Sequence, residues 1–136
     1  MAPEASIEDR LAIRERIEAY ADAVFRHDAE DWIANWSEDG VWRLPGVEIA
    51  GKAQIKATWT QAMAAFAVAA FYATPGVIQV TGAQAKARVF TREILVDHAG
   101  KVVKVVGVYE DRLIKQNGTW LFAERAYTVL HNEVSG

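Results

Sequence analysis

The sequence contains no cysteine, which excludes disulfide bonds, thiolate metal ligands and thiol nucleophiles. Its three histidines, His27, His98 and His131, lack the short spacing typical of metal-ligand pairs. A glycine-rich phosphate-binding loop is also missing. We therefore predict neither a metal site nor another cofactor.

The chain has no excess of positive charge and no long apolar run. Its net charge of −3 is spread along the sequence, which argues against binding to nucleic acid or to an anionic membrane surface. The longest apolar tract, residues 62–73, is too short to cross a bilayer, and the first residues lack the features of a secretory signal. These observations predict a cytoplasmic protein.

The length of 136 residues, of which 51% are hydrophobic, fits one globular domain with a single core. Linkers and internal repeats are not evident, so the expected domain spans residues 1–136. One core of this size leaves room for one pocket at most.

Helical patterns occupy the first half of the chain. Ser6 and Asp9 have the spacing of a capping box, and apolar residues then recur at helical spacing from Ile7 to about residue 26. Asp28 or Asp31 can cap a short second helix. That helix is predicted to include Trp32, Ile33 and Trp36.

A third helix is predicted to begin at Gly51 and to reach roughly Ala70, before the Pro75-Gly76 pair forces a turn. Between the second and third helices, residues 41–44 and 47–50 form a predicted hairpin. Three long strand patterns follow, in residues 77–96, 102–115 and 119–130, with hairpin turns at residues 98–100 and 116–118. Helices first and antiparallel strands last indicate an α+β fold.

Strand alternation predicts which side chains face the interior. On the second long strand Asp111 falls on the apolar face beside Tyr109, and on the first long strand Glu93 falls on the apolar face. Buried carboxylates are paired, protonated or used in chemistry. Both faces of the last strand look apolar, so alternation does not decide whether Arg125 points inward to neutralise one of these acids.

A set of motifs extends over nearly the whole chain, from about Ser6 to Leu130. They are Tyr20, Asp28-x-x-Asp31-Trp32, Glu38-Asp39-Gly40-Val41-Trp42, Gly51 at a helix start, Gly107-x-Tyr109-x-Asp111 and Asn117-Gly-x-Trp120-x-Phe122. The sequence thereby resembles SnoaL-like proteins of the nuclear transport factor 2 superfamily. The resemblance implies a cone-shaped α+β barrel, in which N-terminal helices pack on a strongly bent antiparallel sheet around an apolar pocket.

Within that superfamily the sequence looks most like the branch of scytalone dehydratase and hexachlorocyclohexane dehydrochlorinase, whose acid–base pair is an Asp and a His. Asp28 matches that Asp, whereas the position of the His falls near Ala70 or Phe71. An isomerase of the ketosteroid type would need an Asp near Leu44, and an epoxide-hydrolase charge relay would have to use Arg125.

The resemblance implies a cofactor-free lyase or isomerase that acts on a hydrophobic cyclic or polyketide-like substrate. Asp28 is then the base, with a pKa raised by the aromatic residues around it, and Tyr109, Glu93 and Asp111 supply a hydrogen-bond donor or acid. Asp28 as a plain helix cap is an equally weighted interpretation. The expected substrate-binding residues are Tyr20, Trp42, Trp59, Phe71, Tyr72 and Arg125.

The broken Asp–His pair leaves a second class open, a non-catalytic binder of a hydrophobic molecule or an accessory subunit. In either class the partner is a small hydrophobic molecule. The outer sheet face should also carry apolar side chains, which predicts a homodimer or homotrimer through the sheet. Those side chains are Phe90, Ile94, Val102, Val106, Val108 and Ile114.

Overall fold

The structure, a computed structural model, describes residues 6–136 and consists of helices that pack on one curved sheet. The elements in chain order are α1 (Ile7–Phe25), α2 (Ala29–Ile33), β1 (Trp36–Leu44), β2 (Val47–Ala50), α3 (Lys52–Met63), β3 (Phe66–Thr81), β4 (Gln84–Asp97), β5 (Val102–Gln116) and β6 (Thr119–Ser135). The strand order is β2-β1-β6-β5-β4-β3, and the sheet does not close into a barrel. Among the strands of the described residues, the β1–β6 pair alone is parallel. The predicted α+β class is confirmed.

Helix α1 begins as its sequence predicts, because the Ser6 hydroxyl accepts a hydrogen bond from the Asp9 backbone N–H at 3.0 Å. The Asp9 carboxylate does not close a capping box. It accepts hydrogen bonds from Lys115 Nζ and Trp120 Nε1 and so fastens the start of α1 to the sheet. The apolar residues predicted to form the buried face of α1 extend too far towards its start, because Ile7 and Leu11 are exposed.

The second helix is shorter than predicted. It ends at Ile33, and Trp36 opens strand β1 instead of closing the helix. Trp36 pairs with Phe122 of β6, and the Asn35 carbonyl accepts a hydrogen bond from the Phe122 backbone N–H. The helical spacing of Trp32 and Trp36 gives way to this long-range pairing. A local sequence pattern cannot predict such a pairing.

The predicted end of the third helix is also wrong. Helix α3 stops at Met63, and the alanine-rich segment that follows belongs to β3, because it pairs with the C-terminal half of β4. Pro75-Gly76 makes a bulge within β3 rather than a turn. The turn lies at Gly82, whose φ of +61° suits glycine.

A bulge in β6 resolves the ambiguity of the last strand. Leu113 of β5 pairs with Phe122, and the next residue of β5, Arg112, pairs with Glu124, so Ala123 is the extra residue. Phe122 and Arg125 consequently face the same interior, although they lie three positions apart. The register between β5 and β6 shifts a second time, between Val106 and Gly107 of β5.

The core lies between the helices and the concave face of the sheet, and aromatic rings fill most of it. Trp32 and Trp59 stack with ring centroids 4.5 Å apart, and Tyr20 contacts both Trp32 and Phe122. Burial of several large rings supplies much of the hydrophobic stabilisation. Among the described residues, no helix is long and apolar enough to cross a membrane.

Candidate active site

A cavity of about 130 Å³ opens between α1, α3 and the concave face of the sheet. Its wall is predominantly apolar and aromatic, with one carboxyl group. The lining residues are Tyr20, Val24, Trp42, Trp59, Ala62, Met63, Phe66, Phe71, Glu93, Leu95 and Tyr109. Six of the predicted site residues therefore line the cavity, namely Tyr20, Trp42, Trp59, Phe71, Glu93 and Tyr109.

Glu93 supplies the acidic group of this cavity. Strand alternation placed its side chain on the inner face of β4, and the structure agrees, with Phe71 of β3 and Val105 of β5 as its neighbours across the sheet. Burial raises the pKa of Glu93 above its ordinary value, while a hydrogen bond from Tyr127 acts in the opposite direction. The carboxyl group is thus suited to exchange protons nearer neutral pH than an exposed glutamate.

Two residues of the hydrogen-bond chain that ends at Glu93 were absent from the predicted site. The Tyr127 hydroxyl donates a hydrogen bond to Glu93 Oε2 at 2.7 Å, and Thr91 Oγ1 lies 3.1 Å from the same hydroxyl oxygen. Thr91 is visible in the sequence on the same face of β4 as Glu93. Tyr127 could not be assigned to the interior before the bulge in β6 was known.

Tyr109 is the second polar group of the cavity. Its hydroxyl oxygen accepts a hydrogen bond from Trp42 Nε1 at 3.1 Å, and its own O–H is still able to donate. Burial raises the pKa of Tyr109 well above the usual phenol value. The phenol is therefore protonated, and it can act as a donor throughout the neutral range.

Asp111 and Arg125 lie beneath the cavity rather than in its wall. Arg125 Nε and Nη2 donate to the two carboxylate oxygens of Asp111 at 2.7 and 3.0 Å, and both side chains are fully buried. The rings of Tyr109, Tyr20 and Phe122 lie around the guanidinium, with centroids 3.9 to 4.4 Å from Cζ. Arg125 thus points inward and neutralises Asp111, a question that strand alternation had left open, and neither residue lines the cavity.

The position predicted for Asp28 is wrong. Asp28 caps α2, where its Oδ1 accepts the Asp31 backbone N–H at 2.9 Å, and its Oδ2 pairs with Arg26. These hydrogen bonds lower the pKa of Asp28, the reverse of the increase expected for a buried base. Asp28 does not line the cavity, so the capping interpretation describes its place in the structure.

Tyr72, predicted to bind substrate, does not line the cavity either. Its neighbour Phe71 points into the cavity, and alternation therefore turns Tyr72 to the other face of β3. There it packs edge-on against Phe25, and Arg92 lies 4.9 Å from its ring centroid. Tyr72 is 45% exposed and cannot contact a ligand bound beside Phe71.

Two histidines contact backbone carbonyl groups at the junction of α3 and β3. His27 Nε2 lies 3.3 Å from the Phe66 carbonyl oxygen, and His98 Nε2 lies 2.9 Å from the Ala64 carbonyl oxygen. Both thus hold the segment between α3 and β3, which carries part of the cavity wall. Within residues 6–136, no group of three or more His, Asp or Glu side chains is arranged to hold a metal ion.

Comparisons with known proteins agree with this geometry. The chain matches the SnoaL-like domain family over residues 5–126. A solved structure from Novosphingobium aromaticivorans, provisionally named an aromatic ring hydroxylase, is 28% identical, with a TM-score of 0.88 over 98% of this chain and 96% of that one. None of the curated proteins matches the sequence significantly.

Two further structures share the fold at lower identity. One, provisionally named scytalone dehydratase and from the same organism, is 19% identical with a TM-score of 0.88, over 96% of this chain and 89% of that one. The other, a hexachlorocyclohexane dehydrochlorinase, is 15% identical with a TM-score of 0.81, over 96% and 94%. The family match covers most of the chain, and the protein therefore belongs to the SnoaL-like domain family.

Proposed function

We propose that this protein is a cofactor-free acid–base enzyme of the lyase or isomerase type, which acts on a small hydrophobic molecule through Glu93. One observation carries the proposal. Among the described residues, Glu93 is the one acidic side chain in the cavity wall, and burial raises its pKa. A carboxyl group with these properties in an apolar cavity is typical of a general base.

The proposed reaction begins when the Glu93 carboxylate removes a proton from a carbon next to a substrate carbonyl. The C–H electron pair moves towards the carbonyl oxygen, and the Tyr109 O–H, oriented by Trp42, donates a hydrogen bond to the oxyanion that forms. Return of the proton from Glu93 to another carbon completes an isomerisation. Delivery of that proton to a departing β-hydroxyl group releases water and completes a dehydration.

In this proposal Glu93 takes the role of base that the family resemblance implied for Asp28. This arrangement needs only one titratable group for both proton transfers, so it does not depend on the missing histidine. The names of the dehydratase and dehydrochlorinase neighbours are consistent with proton abstraction, although their low identity establishes only a common fold.

A paired substitution tests the proposal. Cyclic ketones and β-hydroxy ketones are screened for isomerisation or loss of water, and Glu93→Gln is compared with Asp28→Asn. We expect Glu93→Gln to lose roughly 10²-fold or more in kcat, the scale of a lost general base. Asp28→Asn, which preserves the helix cap, should retain activity. Full activity in Glu93→Gln, or its loss in Asp28→Asn with an intact fold, would contradict the proposal.

A non-catalytic role is the second candidate, because just one titratable acid lines the cavity. In that case the domain binds a hydrophobic molecule or serves as an accessory subunit of a larger enzyme. Ligand binding without turnover across the substrate screen would favour this candidate.

A further inference from the structure

The cavity has a size and a distribution of charge that together restrict its ligand. Its volume of about 130 Å³ is close to the roughly 150 Å³ of an engineered protein cavity that holds one benzene molecule. It is well below the lower limit of about 300 Å³ for pockets that take drug-sized ligands. One six-membered ring with a small substituent fills this space, and a second fused ring would extend beyond it.

The charges around the cavity disfavour an anionic ligand. No lysine or arginine lines the wall among the described residues, and the nearest buried cation, Arg125, is already occupied. Its Nε and Nη2 both bind Asp111, and aromatic rings cover the guanidinium faces. A ligand carboxylate or phosphate would therefore find no counter-charge, and it would lie close to Glu93.

A cationic ligand is not favoured either. It would have to lose its hydration shell among aromatic and aliphatic side chains, with a single carboxyl group in compensation. One oxygen of that carboxyl group already accepts the Tyr127 hydrogen bond at 2.7 Å. The polar contacts that remain for a ligand are the Tyr109 O–H and the free capacity of Glu93, which suit a neutral carbonyl, amide or hydroxyl group.

We infer that the cavity selects an uncharged ligand with a single ring and a polar substituent next to it, and that it rejects carboxylated, phosphorylated and polycyclic molecules. The inference rests on the cavity proposed above as the functional site, and it narrows the hydrophobic cyclic or polyketide-like substrate expected from the sequence. It concerns binding and not turnover.

Three probes of nearly equal shape isolate the effect of charge. Benzamide is neutral, benzoate is its anionic counterpart and benzamidinium its cationic one. Binding is measured by quenching of tryptophan fluorescence, because Trp42 and Trp59 line the cavity, and by calorimetry. We expect benzamide to bind with a dissociation constant of roughly a millimolar, as befits so small a ligand. It should bind at least about tenfold more tightly than benzoate and no more weakly than benzamidinium.

Three further measurements locate and dissect the binding. Glu93→Gln should reduce the difference between benzamide and benzoate, whereas Glu110→Gln, a control on the exposed Arg88–Glu110 pair, should leave it unchanged. Ala62→Phe at the mouth should abolish benzamide binding in a folded protein. The bicyclic probe 2-naphthamide should bind more weakly than benzamide, even though it has more apolar surface.

Equal binding of benzoate and benzamide, tighter binding of benzamidinium or 2-naphthamide, or benzamide binding that persists in Ala62→Phe would each overturn the inference. So would a failure of all the probes to bind. Because no turnover is measured, these outcomes are separate from the test of catalysis. Selective benzamide binding without turnover in the substrate screen would refute the proposed catalytic activity and support the inferred ligand class.

Discussion

Tyr127 on β6 reaches Glu93 on β4 by crossing over Gly107, which lies on the intervening strand β5. Gly107 pairs with Thr91 of β4, and a Cβ atom on Gly107 would collide with the hydroxyl and ring carbons of Tyr127. The glycine therefore leaves the space through which the phenol reaches Glu93 and Thr91. The absence of a side chain at Gly107 thus allows the hydrogen bond to the carboxyl group of Glu93, two residues beyond Thr91 on β4.

This relationship predicts that Tyr127 sets the pH range of the site. The Tyr127 hydrogen bond lowers the pKa of Glu93, so Tyr127→Phe should raise that pKa further and move the acidic limb of the pH–rate profile to higher pH. Gly107→Ala should cause a similar shift by displacing the phenol. Carbon NMR titration of the Glu93 carboxyl group provides a second measurement. Tyr72→Phe on the outer face is the control, and an equal shift there would refute the assignment.

Glu93 should also make the protein less stable as the pH rises. Its pKa in the folded state is raised above the ordinary value of 4.5, so the unfolded chain releases this proton at lower pH than the folded one. The corresponding stability is present below pH 4.5 and is lost as the pH rises through the folded-state pKa. Each unit of pKa difference amounts to roughly 1.4 kcal/mol.

We therefore expect Glu93→Gln to melt a few degrees above the parent protein at pH 8, with no such advantage at pH 4. Differential scanning calorimetry across this range checks the prediction, with Glu110→Gln as the exposed control. An inactive but more stable variant would fit a residue retained for chemistry rather than for folding. A melting temperature lowered equally at both pH values would show that Glu93 has a structural role instead.

Replacing one partner of the buried ion pair should destabilise the protein far more than replacing both. Arg125→Met leaves the Asp111 carboxylate buried without its partner and should destabilise the protein by roughly 3–5 kcal/mol, as measured by urea unfolding. The double variant Arg125→Met/Asp111→Leu should recover most of this loss. Arg88→Met, which breaks a pair exposed to solvent, should cost less than about 1 kcal/mol. Additive losses in the double variant would contradict this account.

We propose that two or three copies associate through the outer face of the sheet, where Phe90 and Val106 are 44% and 40% exposed. Phe90→Asp should then produce a folded monomer in multi-angle light scattering at micromolar concentration. Val47→Asp, on the distant strand β2, is the matched control and should leave the assembly unchanged. A parent protein that is itself monomeric would refute the proposal.

Much of the fold could be predicted because local patterns and tertiary pairing agree over most of the chain. Alternation on β4 and β5 correctly placed Glu93, Tyr109 and Asp111 on the inner face, since a strand half covered by helices keeps a strict period of two. The hairpin turns at Gly100 and Gly118 were likewise predictable, because both have positive φ values that favour glycine.

The errors arose where pairing between distant segments determines the structure. The start of β3 mixes alanines with strand-favouring residues such as Val68 and Phe71, so its composition fits a helix end as well as a strand. Its pairing with β4 makes it extended. For Asp28, the spacing to neighbouring residues matched a catalytic position, yet the same acid also matches a helix cap. Local hydrogen bonds to Asp31 and Arg26 show which of these places it occupies.

The extra residue in β6 determines which side chains of the strand face the interior. The composition of the strand does not reveal this. In an unbroken alternation counted from Phe122, Glu124 would face the interior and Arg125 the exterior, so the bulge at Ala123 is what brings Arg125 beneath the cavity. Deleting Ala123 would leave every later side chain on its present face while removing the local bend. Insertions and deletions of one residue can thus alter how strongly the sheet curves around the cavity without replacing any residue of the cavity wall, a route to new cavity shapes distinct from point substitution.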